Sequence, residues 1–417
     1  MIVSQYMFPE RNATGELLTS LGTGLVANGF AVTAYCAQPT YYVNSKPVER
    51  KLNYEGVNIQ RVWTTRFGRA RWASRLADAV TFAISVAFWL LRLPRGAIVL
   101  SVTNPPFVPV MAAIQRLGSR TRFVLLVHDV FPEAAVQLGA VRPRGPIHRL
   151  LKLVDRLTLM QADSIVALGE DMQAILRAKL PSSRHDRVVV IPNWADGTSI
   201  VPTLKSRSRV AQRDRLLDTF VVQYSGNIGM SQGLEIVLKA AQQLQGDNVT
   251  FTIIGEGVSL QRFKGAVAAR SLNNIRFFPR VPNEDLADSL AACDVALVPL
   301  AQGMEGLSVP SKYYAALASG RPVLAVMDQN AEVARSVLEN DCGLVVAPSD
   351  DSGLVEAVRR LRNDADLRGR MGRNARLALE RRYTRERALS DYTTVLRNLD
   401  GPHDSDQPIG HNVANRV

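Results

Sequence analysis

Glu305 and Lys312 lie in one glycine-containing segment, residues 305–325, with the sequence EGLSVPSKYYAALASGRPVLA. Pro310 and Ser311 predict a helix that begins just before Lys312. The unpaired N–H groups and the dipole at a helix N-terminus favour phosphate. A cation in the first turn opposes that dipole, so a bound anion would account for Lys312. A lone lysine is more often an ordinary surface residue. Whether Lys312 binds an anion or is such a surface residue depends on the motifs in the rest of the chain.

Further loops that carry glycine or charge also follow predicted strands. GNIGMSQG follows TFVVQYS and contains Gly226 and Gly229, whose missing Cβ lets backbone N–H groups approach a phosphate. Gly255 and Glu256 follow TFTII, and PNED follows FFPRV. Turn chemistry explains each loop by itself. Together with the Glu305 loop they predict a nucleotide site.

A possible polar site also occurs in the first half, where the strand RFVLLV ends in His128 and Asp129. A histidine at a strand end that faces a cleft can bind a sugar hydroxyl or take part in proton transfer. Many lone histidines are structural. The adjacent carboxylate and the turn after it, Phe131-Pro132-Glu133, favour the functional interpretation here.

Short apolar runs alternate with helical patterns in both halves of the chain, which predicts buried parallel sheets. A length of 417 residues fits two domains. We therefore predict an α/β protein of two doubly wound, Rossmann-like domains that face each other across a cleft. The boundaries are residues 1–200 for the first domain, 201–218 for a polar, basic linker and 219–381 for the second domain. A helix over 382–399 is expected to cross back to the first domain, and the polar tail 400–417 is expected to be disordered.

Composition limits the classes of function. The chain has 47% apolar residues and three cysteines far apart, without metal-ligand spacing, which favours a reducing cytosol. MIVSQYMFPE has no basic region before an apolar run, so we expect no signal peptide. The net charge is +12, and residues 1–200 hold 23 Lys/Arg against 13 Asp/Glu, or +10 of it. This predicts an anionic partner for the first half, and without a nucleic-acid motif we do not expect nucleic acid.

A basic patch precedes a strongly apolar segment, residues 79–91 (AVTFAISVAFWLL). Thirteen residues are too few for a helix that crosses a bilayer, which needs about 20. The segment is either a core helix or an interfacial helix beside anionic lipid, and the sequence leaves both open. We therefore expect a cytoplasmic protein that can be peripheral on the inner face of the membrane. The patch consists of Arg66, Phe67, Arg69, Arg71, Trp72 and Arg75.

Segments along nearly the whole chain resemble the retaining GT-B glycosyltransferases of the E-x7-E group (family 4 type). Among these, the bacterial O-antigen, colanic acid and exopolysaccharide enzymes are the most similar. The segments are QYMFPE, TNPPF, HDVFPE, ADSIVALGEDM, VIPNWAD, YSGNIGMSQGLE, IIGEG, CDVALVPL and EGLSVPSK…ASGRPVLA. The resemblance implies the GT-B fold and transfer of a hexosyl or N-acetylhexosaminyl group from a nucleoside diphosphate sugar to an acceptor hydroxyl. It favours UDP over GDP as the nucleotide of the donor. It also implies that no metal or other cofactor takes part.

The resemblance assigns roles to individual residues. Glu305 would lie near the donor sugar, His128 near the reacting carbon, and Val281 near the base. By the same resemblance, Gly306, Leu307 and Ser308 would meet the sugar and diphosphate of the donor, and Gly226 and Gly229 would face the diphosphate. From the residues themselves we add Asn227, Gly255, Glu256, Arg280 and Lys312 as candidate donor-binding residues. Our candidates for acceptor binding are Thr14, Gly15 and Asp129.

The chain departs from the family pattern at three positions. Tyr313 stands where the second Glu of E-x7-E, the usual ribose ligand, is expected. Asn227 and Gln232 replace the usual cations of the glycine loop. One well-aimed donor at such a site contributes roughly 2.7–4 kcal/mol, so the lost cations need substitutes. We expect Lys312 and Arg280 to take over their role.

The chemistry implied by the resemblance is departure of a diphosphate, stabilised by side-chain cations and helix dipoles. No Asp-x-Asp follows a predicted strand, in agreement with a metal-independent reaction. The resemblance implies a front-face route in which a phosphate oxygen accepts the proton of the acceptor. The basic first half favours a lipid-linked acceptor. Two alternatives are an epimerase that interconverts nucleoside diphosphate sugars and a non-catalytic module that binds them.

Overall fold

A computed structural model describes residues 1–10, 12–39, 48–65, 67, 72–94, 96–119 and 121–400. Of the predicted basic patch, Arg66, Arg69, Arg71 and the side chains of Trp72 and Arg75 lie outside the described residues. The predicted tail lies outside them from residue 401 onward.

An eight-stranded sheet organises the first domain in the order β3-β4-β2-β1-β5-β6-β7-β8. All neighbours are parallel except β3, which forms a hairpin with β4 that the sequence analysis did not predict. The strands are β1 (Ile2–Val3), β2 (Thr33–Cys36), β3 (Lys51–Tyr54), β4 (Val57–Arg61), β5 (Ile98–Val102), β6 (Arg122–Leu126), β7 (Ser164–Ala167) and β8 (Val188–Val190).

Six helices follow strands of this sheet. They are α1 (Ala13–Ala27), α2 (Trp72–Leu90), α3 (Val108–Gly118), α4 (Glu133–Gln137), α5 (Pro146–Gln161) and α6 (Glu170–Ala178). α1 begins at Ala13 because the Asn12 side chain caps it by accepting the N–H of Gly15 at 2.7 Å. Among the helices of the described residues, none is both long and apolar enough to cross a bilayer.

The second domain contains a fully parallel six-stranded sheet in the order β11-β10-β9-β12-β13-β14. Its strands are β9 (Phe220–Ser225), β10 (Val249–Ile254), β11 (Ile275–Phe278), β12 (Val295–Pro299), β13 (Val323–Val326) and β14 (Gly343–Val346). Its helices are α7 (Arg209–Arg213), α8 (Glu235–Gln243), α9 (Leu260–Ala269), α10 (Leu286–Ala291), α11 (Lys312–Ala318), α12 (Glu332–Glu339), α13 (Asp351–Asn363) and α14 (Ala365–Arg382). The prediction of two doubly wound parallel sheets is confirmed.

The strand order reverses direction at one place in each sheet, between β1 and β5 and between β9 and β12. Such switch points open a crevice beyond the carboxyl ends of the strands, where ligands bind in open α/β sheets. The Gly226 loop follows β9 and the Glu305 loop follows β12. These two loops therefore flank the switch point of the second domain.

Two segments connect the domains. Residues 201–218 include α7, which packs against α10 and which Ser208 caps by accepting the N–H of Ala211 at 3.0 Å. The last helix, α15 (Arg385–Asp400), packs against α1 of the first domain. Its Tyr392 and Leu396 are buried in the core of the first domain, and Thr393 accepts a hydrogen bond from Asn28 at 2.9 Å.

Candidate active site between the two domains

The Glu305 loop, residues 301–309, is held by the first domain. The N–H of Val130, after β6, donates to the carbonyl of Leu307 at 2.9 Å. Gln137 on α4 donates to the carbonyl of Gln302 at 2.9 Å. Asp171 on α6 accepts the N–H of Gly306 at 3.1 Å. The segments that follow β6 and β7 of the first domain thus hold one loop of the second domain through three hydrogen bonds.

Gly306 cannot be replaced by a larger residue without moving this contact. Its φ is +68°, in the left-handed region that favours glycine. A Cβ at this position would lie 2.6 Å from Cδ1 of Ile175 on α6. The glycine therefore lets the backbone of the Glu305 loop lie directly against the first domain.

The side chain of Lys312 lies over the Gly226 loop. A Cβ at Gly226 would be 3.2 Å from Cε of Lys312, and the ammonium is 5.2 Å from the centroid of the Tyr224 ring. Burial lowers the pKa of Lys312 to about 8. The described part of the chain contains no ion-pair partner for Lys312. A half-buried cation that has no ion-pair partner among the described residues and lies beside a glycine loop is suited to an anionic ligand.

Gln232 and Asn227 shape the glycine loop in this chain. The Gln232 side chain accepts the N–H of Gly229 at 2.9 Å, and the carbonyl of Asn227 accepts the Tyr224 hydroxyl. Gln232 thus occupies one backbone N–H that an anion could otherwise use. The Asn227 side chain is exposed.

Tyr313 points away from the cleft. It is 1% exposed, and its hydroxyl lies 2.8 Å from Oγ of Ser336, which is also 2.8 Å from the Tyr383 hydroxyl. In this chain, the position at which the E-x7-E spacing expects the residue that binds the ribose therefore lies in the core. The partly exposed face of α11 is the one that carries Lys312 and Ala315.

Arg280 already has a partner across the cleft. Its guanidinium lies 3.0 Å from Oε1 of Glu16 on α1, and both side chains are about one-third exposed. The expected role of Arg280 as a cation for the donor stays a prediction, and it requires that this ion pair be exchanged. Val281 is half-buried beside it, whereas Glu256 is exposed after β10, and Gly255 is buried against the backbone of Gly226.

His128 lies at the carboxyl end of β6, next to α1. Its Nδ1 is 3.4 Å from Oγ1 of Thr14, and its enclosed Nε2 has no hydrogen-bond partner among the described residues. Desolvation lowers the pKa of His128 to about 4, so the ring is neutral near pH 7. The structure thus brings together Thr14 and His128, and it leaves one ring nitrogen available for a ligand.

Asp129 joins the acceptor side to the Glu305 loop. Its backbone forms a bridge with Ser308, and its carboxylate hydrogen-bonds the Ser308 side chain. Burial raises the pKa of Asp129, and this hydrogen bond acts in the opposite direction. Gly15 is buried near the N-terminus of α1, where its N–H is taken by Asn12.

The peptide N–H groups after Glu305 are occupied by protein acceptors. Leu307 and Ser308 donate to the carbonyl of Met304 at 3.0 and 3.3 Å, and Gly306 donates to Asp171. Glu305 itself is half-buried and accepts the N–H of Gly303 at 3.2 Å. A donor that contacts these peptide groups has to replace the present acceptors.

Sequence reasoning missed three residues that hold the site. They are Asp171, Gln137 and Thr103, whose hydroxyl accepts the N–H groups of His128 and Asp129 at 3.1 and 3.2 Å. Thr103 follows β5 directly and Asp171 lies four residues after β7, so their position at the carboxyl edge of the sheet could have indicated them. Within the described residues, no cluster of three or more His, Cys, Asp or Glu could hold a metal ion.

Two family models match the chain, one on each domain. Residues 14–194 match the glycosyl transferase 4-like domain, and residues 209–378 match the glycosyl transferases group 1. The chain is 30% identical over 398 residues to the probable glycosyltransferase WbjE of Pseudomonas aeruginosa. The matched region covers 95% of this chain and 97% of the relative. It is 26% identical over 413 residues to the putative colanic acid biosynthesis glycosyl transferase WcaI of Escherichia coli strain K12, with 93% and 97% covered.

Solved structures share the fold over nearly the whole chain. Sucrose-phosphate synthase from Thermosynechococcus elongatus superposes with a TM-score of 0.78 at 16% identity, covering 95% of this chain and 98% of that one. HepE from Anabaena, solved in complex with UDP-glucose, superposes with a TM-score of 0.72 at 15% identity and the same coverage. This fold is GT-B, and the chain belongs to the group 1, family 4-like glycosyltransferases.

Proposed function

We propose that this glycosyltransferase moves a sugar from a nucleoside diphosphate sugar to a lipid-linked acceptor in cell-surface polysaccharide synthesis, with the anomeric configuration retained. Family membership supports the class of reaction. The relative WcaI is a putative glycosyl transferase of colanic acid biosynthesis, which supports the pathway class. The UDP-glucose bound to HepE, which has the same fold, supports UDP over GDP. The sugar is of the hexosyl or N-acetylhexosaminyl type.

One observation carries the placement of the donor: Lys312 is a half-buried cation beside Gly226 that has no ion-pair partner among the described residues. A departing diphosphate carries negative charge, and its stabilisation is the main task of such an enzyme. We assign Lys312 to the diphosphate. Arg280 can join it only when its ion pair with Glu16 is exchanged for the donor.

His128 and Glu305 are assigned to the reacting sugar from opposite sides of the cleft. The neutral ring of His128 can hydrogen-bond a hydroxyl through Nε2, which has no partner among the described residues. Glu305 accepts only the N–H of Gly303 among the described residues and retains capacity for a sugar hydroxyl. The backbone of Asp129 is tied to Ser308 and fixes the two sides relative to each other.

The proposed reaction is a front-face displacement. The bond between the anomeric carbon and the diphosphate oxygen breaks, and the acceptor oxygen forms its bond on the same face. The proton of the acceptor hydroxyl goes to the leaving phosphate oxygen, so no protein base is needed. Lys312 stabilises the charge that develops before that proton arrives.

A transfer assay tests the proposal. Purified protein is incubated with radiolabelled UDP- and GDP-sugars and with lipid extracted from the producing cells, and label in the lipid is counted. Glu305→Ala and Lys312→Ala are each expected to lower transfer by a factor on the order of 100 or more. Lys264→Ala, an exposed lysine on α9, is the matched control. Near-normal turnover in both site variants, or sugar interconversion without an acceptor, would contradict the proposal.

A further inference from the structure

The first domain exposes an unusual amount of apolar surface on one side. Of the eighteen large apolar side chains that are exposed in the described part of the chain, eleven lie on or beside α2, α3 and α5. They are Trp63, Phe67, Val80, Ile84, Phe88, Leu91, Ile114, Leu117, Ile147, Leu150 and Leu153. We call this surface the α2–α3–α5 face.

The three helices form one layer. Each connects strands in the same direction along the sheet, β4 to β5, β5 to β6 and β6 to β7, so right-handed crossovers place all three on the same side. α3 packs against both α2 and α5. α1, which runs in the opposite direction from β1 to β2, lies on the other side. The outward residues of the three helices therefore belong to one continuous surface.

The helix α2 has two apolar sides. Phe82, Val86 and Leu90 are at most 1% exposed and face the sheet. The opposite side shows Ile84 and Phe88, which are 64% and 55% exposed. The sequence left open whether residues 79–91 form a core helix or an interfacial one. In the structure, one side of α2 is buried against the sheet and the opposite apolar side is exposed.

The helix α5 alternates apolar and basic residues on its outer side. Ile147, Leu150 and Leu153 are 60% to 66% exposed, at a spacing of three residues. The exposed cations between and after them are Arg149, Lys152 and Arg156. The acidic residues of the three helices face elsewhere, since Asp78 is buried and Asp155 pairs with Lys179 at 2.9 Å. All outward charge of α5 is therefore positive.

We propose that the α2–α3–α5 face docks on a bilayer that contains anionic phospholipid. Apolar side chains interleaved with Lys and Arg are typical of helices that lie in the plane of a membrane interface. Trp63, an aromatic residue with a polar N–H, is suited to the headgroup region. A second copy of the chain is a poor occupant, because a symmetric dimer would oppose the cations of one α5 to those of the other.

The face begins at the edge of the sheet where the proposed active site lies. α2, α3 and α5 follow the carboxyl ends of β4, β5 and β6, and His128 follows β6. A lipid-anchored acceptor would therefore enter from the membrane surface close to His128. Docking itself rests on the residues of the face and not on the proposed transfer, so the two can fail separately.

Vesicle sedimentation tests the docking. Wild-type protein is expected to sediment with vesicles of phosphatidylglycerol and phosphatidylcholine, and much less with phosphatidylcholine alone. The triple variant Arg149→Gln, Lys152→Gln, Arg156→Gln should partition roughly a hundredfold more weakly. The apolar triple variant Ile147→Gln, Leu150→Gln, Leu153→Gln should weaken binding at least tenfold. A second variant on another helix, Ile84→Gln with Phe88→Gln, should also weaken it.

Matched control variants on the second domain are expected to bind the vesicles like wild type. They are Leu338→Gln with Leu377→Gln for the apolar change, and Arg270→Gln, Arg373→Gln and Arg381→Gln for the charge. Circular dichroism and thermal unfolding check that each variant is folded, and the α2 variant decides if an α5 variant is not. The proposal is overturned if wild type does not sediment with phosphatidylglycerol vesicles, or if the face variants bind like the controls. It is also overturned if the apolar changes abolish only self-association.

Discussion

At the residue scale, Lys312 and Tyr313 are neighbours in sequence with opposite surroundings. Lys312 lies over Gly226 and retains its charge without a counter-ion among the described residues. Tyr313 is buried and hydrogen-bonded to Ser336. A helix turns by about 100° per residue, so two adjacent side chains cannot share one face. The side chain available to an anionic ligand on α11 is therefore Lys312.

The first prediction concerns the pH dependence of donor binding. Burial lowers the pKa of Lys312 to about 8, and a diphosphate binds its protonated form. UDP affinity should be nearly constant below this value and fall above it, approaching tenfold per pH unit. Calorimetric titration between about pH 7 and pH 9.5 measures this pH dependence of UDP affinity. In Lys312→Arg, whose side chain stays charged, the fall should disappear. An identical fall in this variant would show that another group titrates.

At the element scale, the Glu305 loop belongs to the second domain but is held by α4, α6 and the segment after β6. Asp171 is the strongest of these contacts, since one carboxylate oxygen accepts the N–H groups of Gly306 and Glu332 at 3.1 and 2.9 Å. Burial raises the pKa of Asp171, and the hydrogen bonds from the backbone N–H groups of Glu332 and Met172 oppose the rise. The side chain of a first-domain helix thus sets the position of a donor-side loop.

The second prediction tests this anchor. Asp171→Ala leaves three backbone N–H groups, those of Met172, Gly306 and Glu332, without their acceptor and should cost about 1–3 kcal/mol for each that stays buried. Hydrogen exchange at Gly306 and Glu332 is expected to accelerate. In Asp171→Asn, which keeps a carbonyl oxygen as acceptor, these two amide hydrogens should exchange more slowly than in Asp171→Ala. Equal protection in wild type and in Asp171→Ala would mean that the loop is held without this side chain.

At the scale of the whole molecule, α15 fastens the end of the chain to the first domain. Leu389 packs on α1 at Gly24, where a Cβ would lie 2.3 Å from Cδ1 of Leu389. The ion pair between Arg280 and Glu16 also spans the domains, but it is about one-third exposed, and such pairs contribute only about 0–1 kcal/mol. The packed helix is therefore the stronger connection.

The third prediction is a double-mutant cycle at this contact. Gly24→Ala overpacks the interface and should destabilise the protein by about 1–3 kcal/mol. Leu389→Ala removes buried apolar volume and should cost about 2–5 kcal/mol. Because the second change makes room for the first, the double variant should cost less than the sum. Denaturant unfolding measures all three, and strict additivity would show that the two residues do not touch in solution.

The sequence was sufficient to predict the two parallel sheets and the loops at their carboxyl ends, because short apolar runs and strand-end glycines are local patterns. It also singled out Lys312 and His128. It could not show that Arg280 pairs with Glu16, 264 residues away, because such contacts depend on how the domains pack. The inward direction of Tyr313 depends in the same way on Ser336 and Tyr383. Spacing within a motif does not determine which face of a short helix meets the core.

Calorimetric titration of UDP and UDP-sugars tests the central claim, that a nucleoside diphosphate sugar binds beside Lys312 and Gly226. Wild type is expected to bind at one site. A hydrogen bond to a charged group contributes about 1.5–3 kcal/mol, so Lys312→Ala should weaken binding tenfold to about a hundredfold. Lys264→Ala should bind like wild type. Wild type that binds no nucleotide, or equal affinity in wild type and Lys312→Ala, would contradict the account.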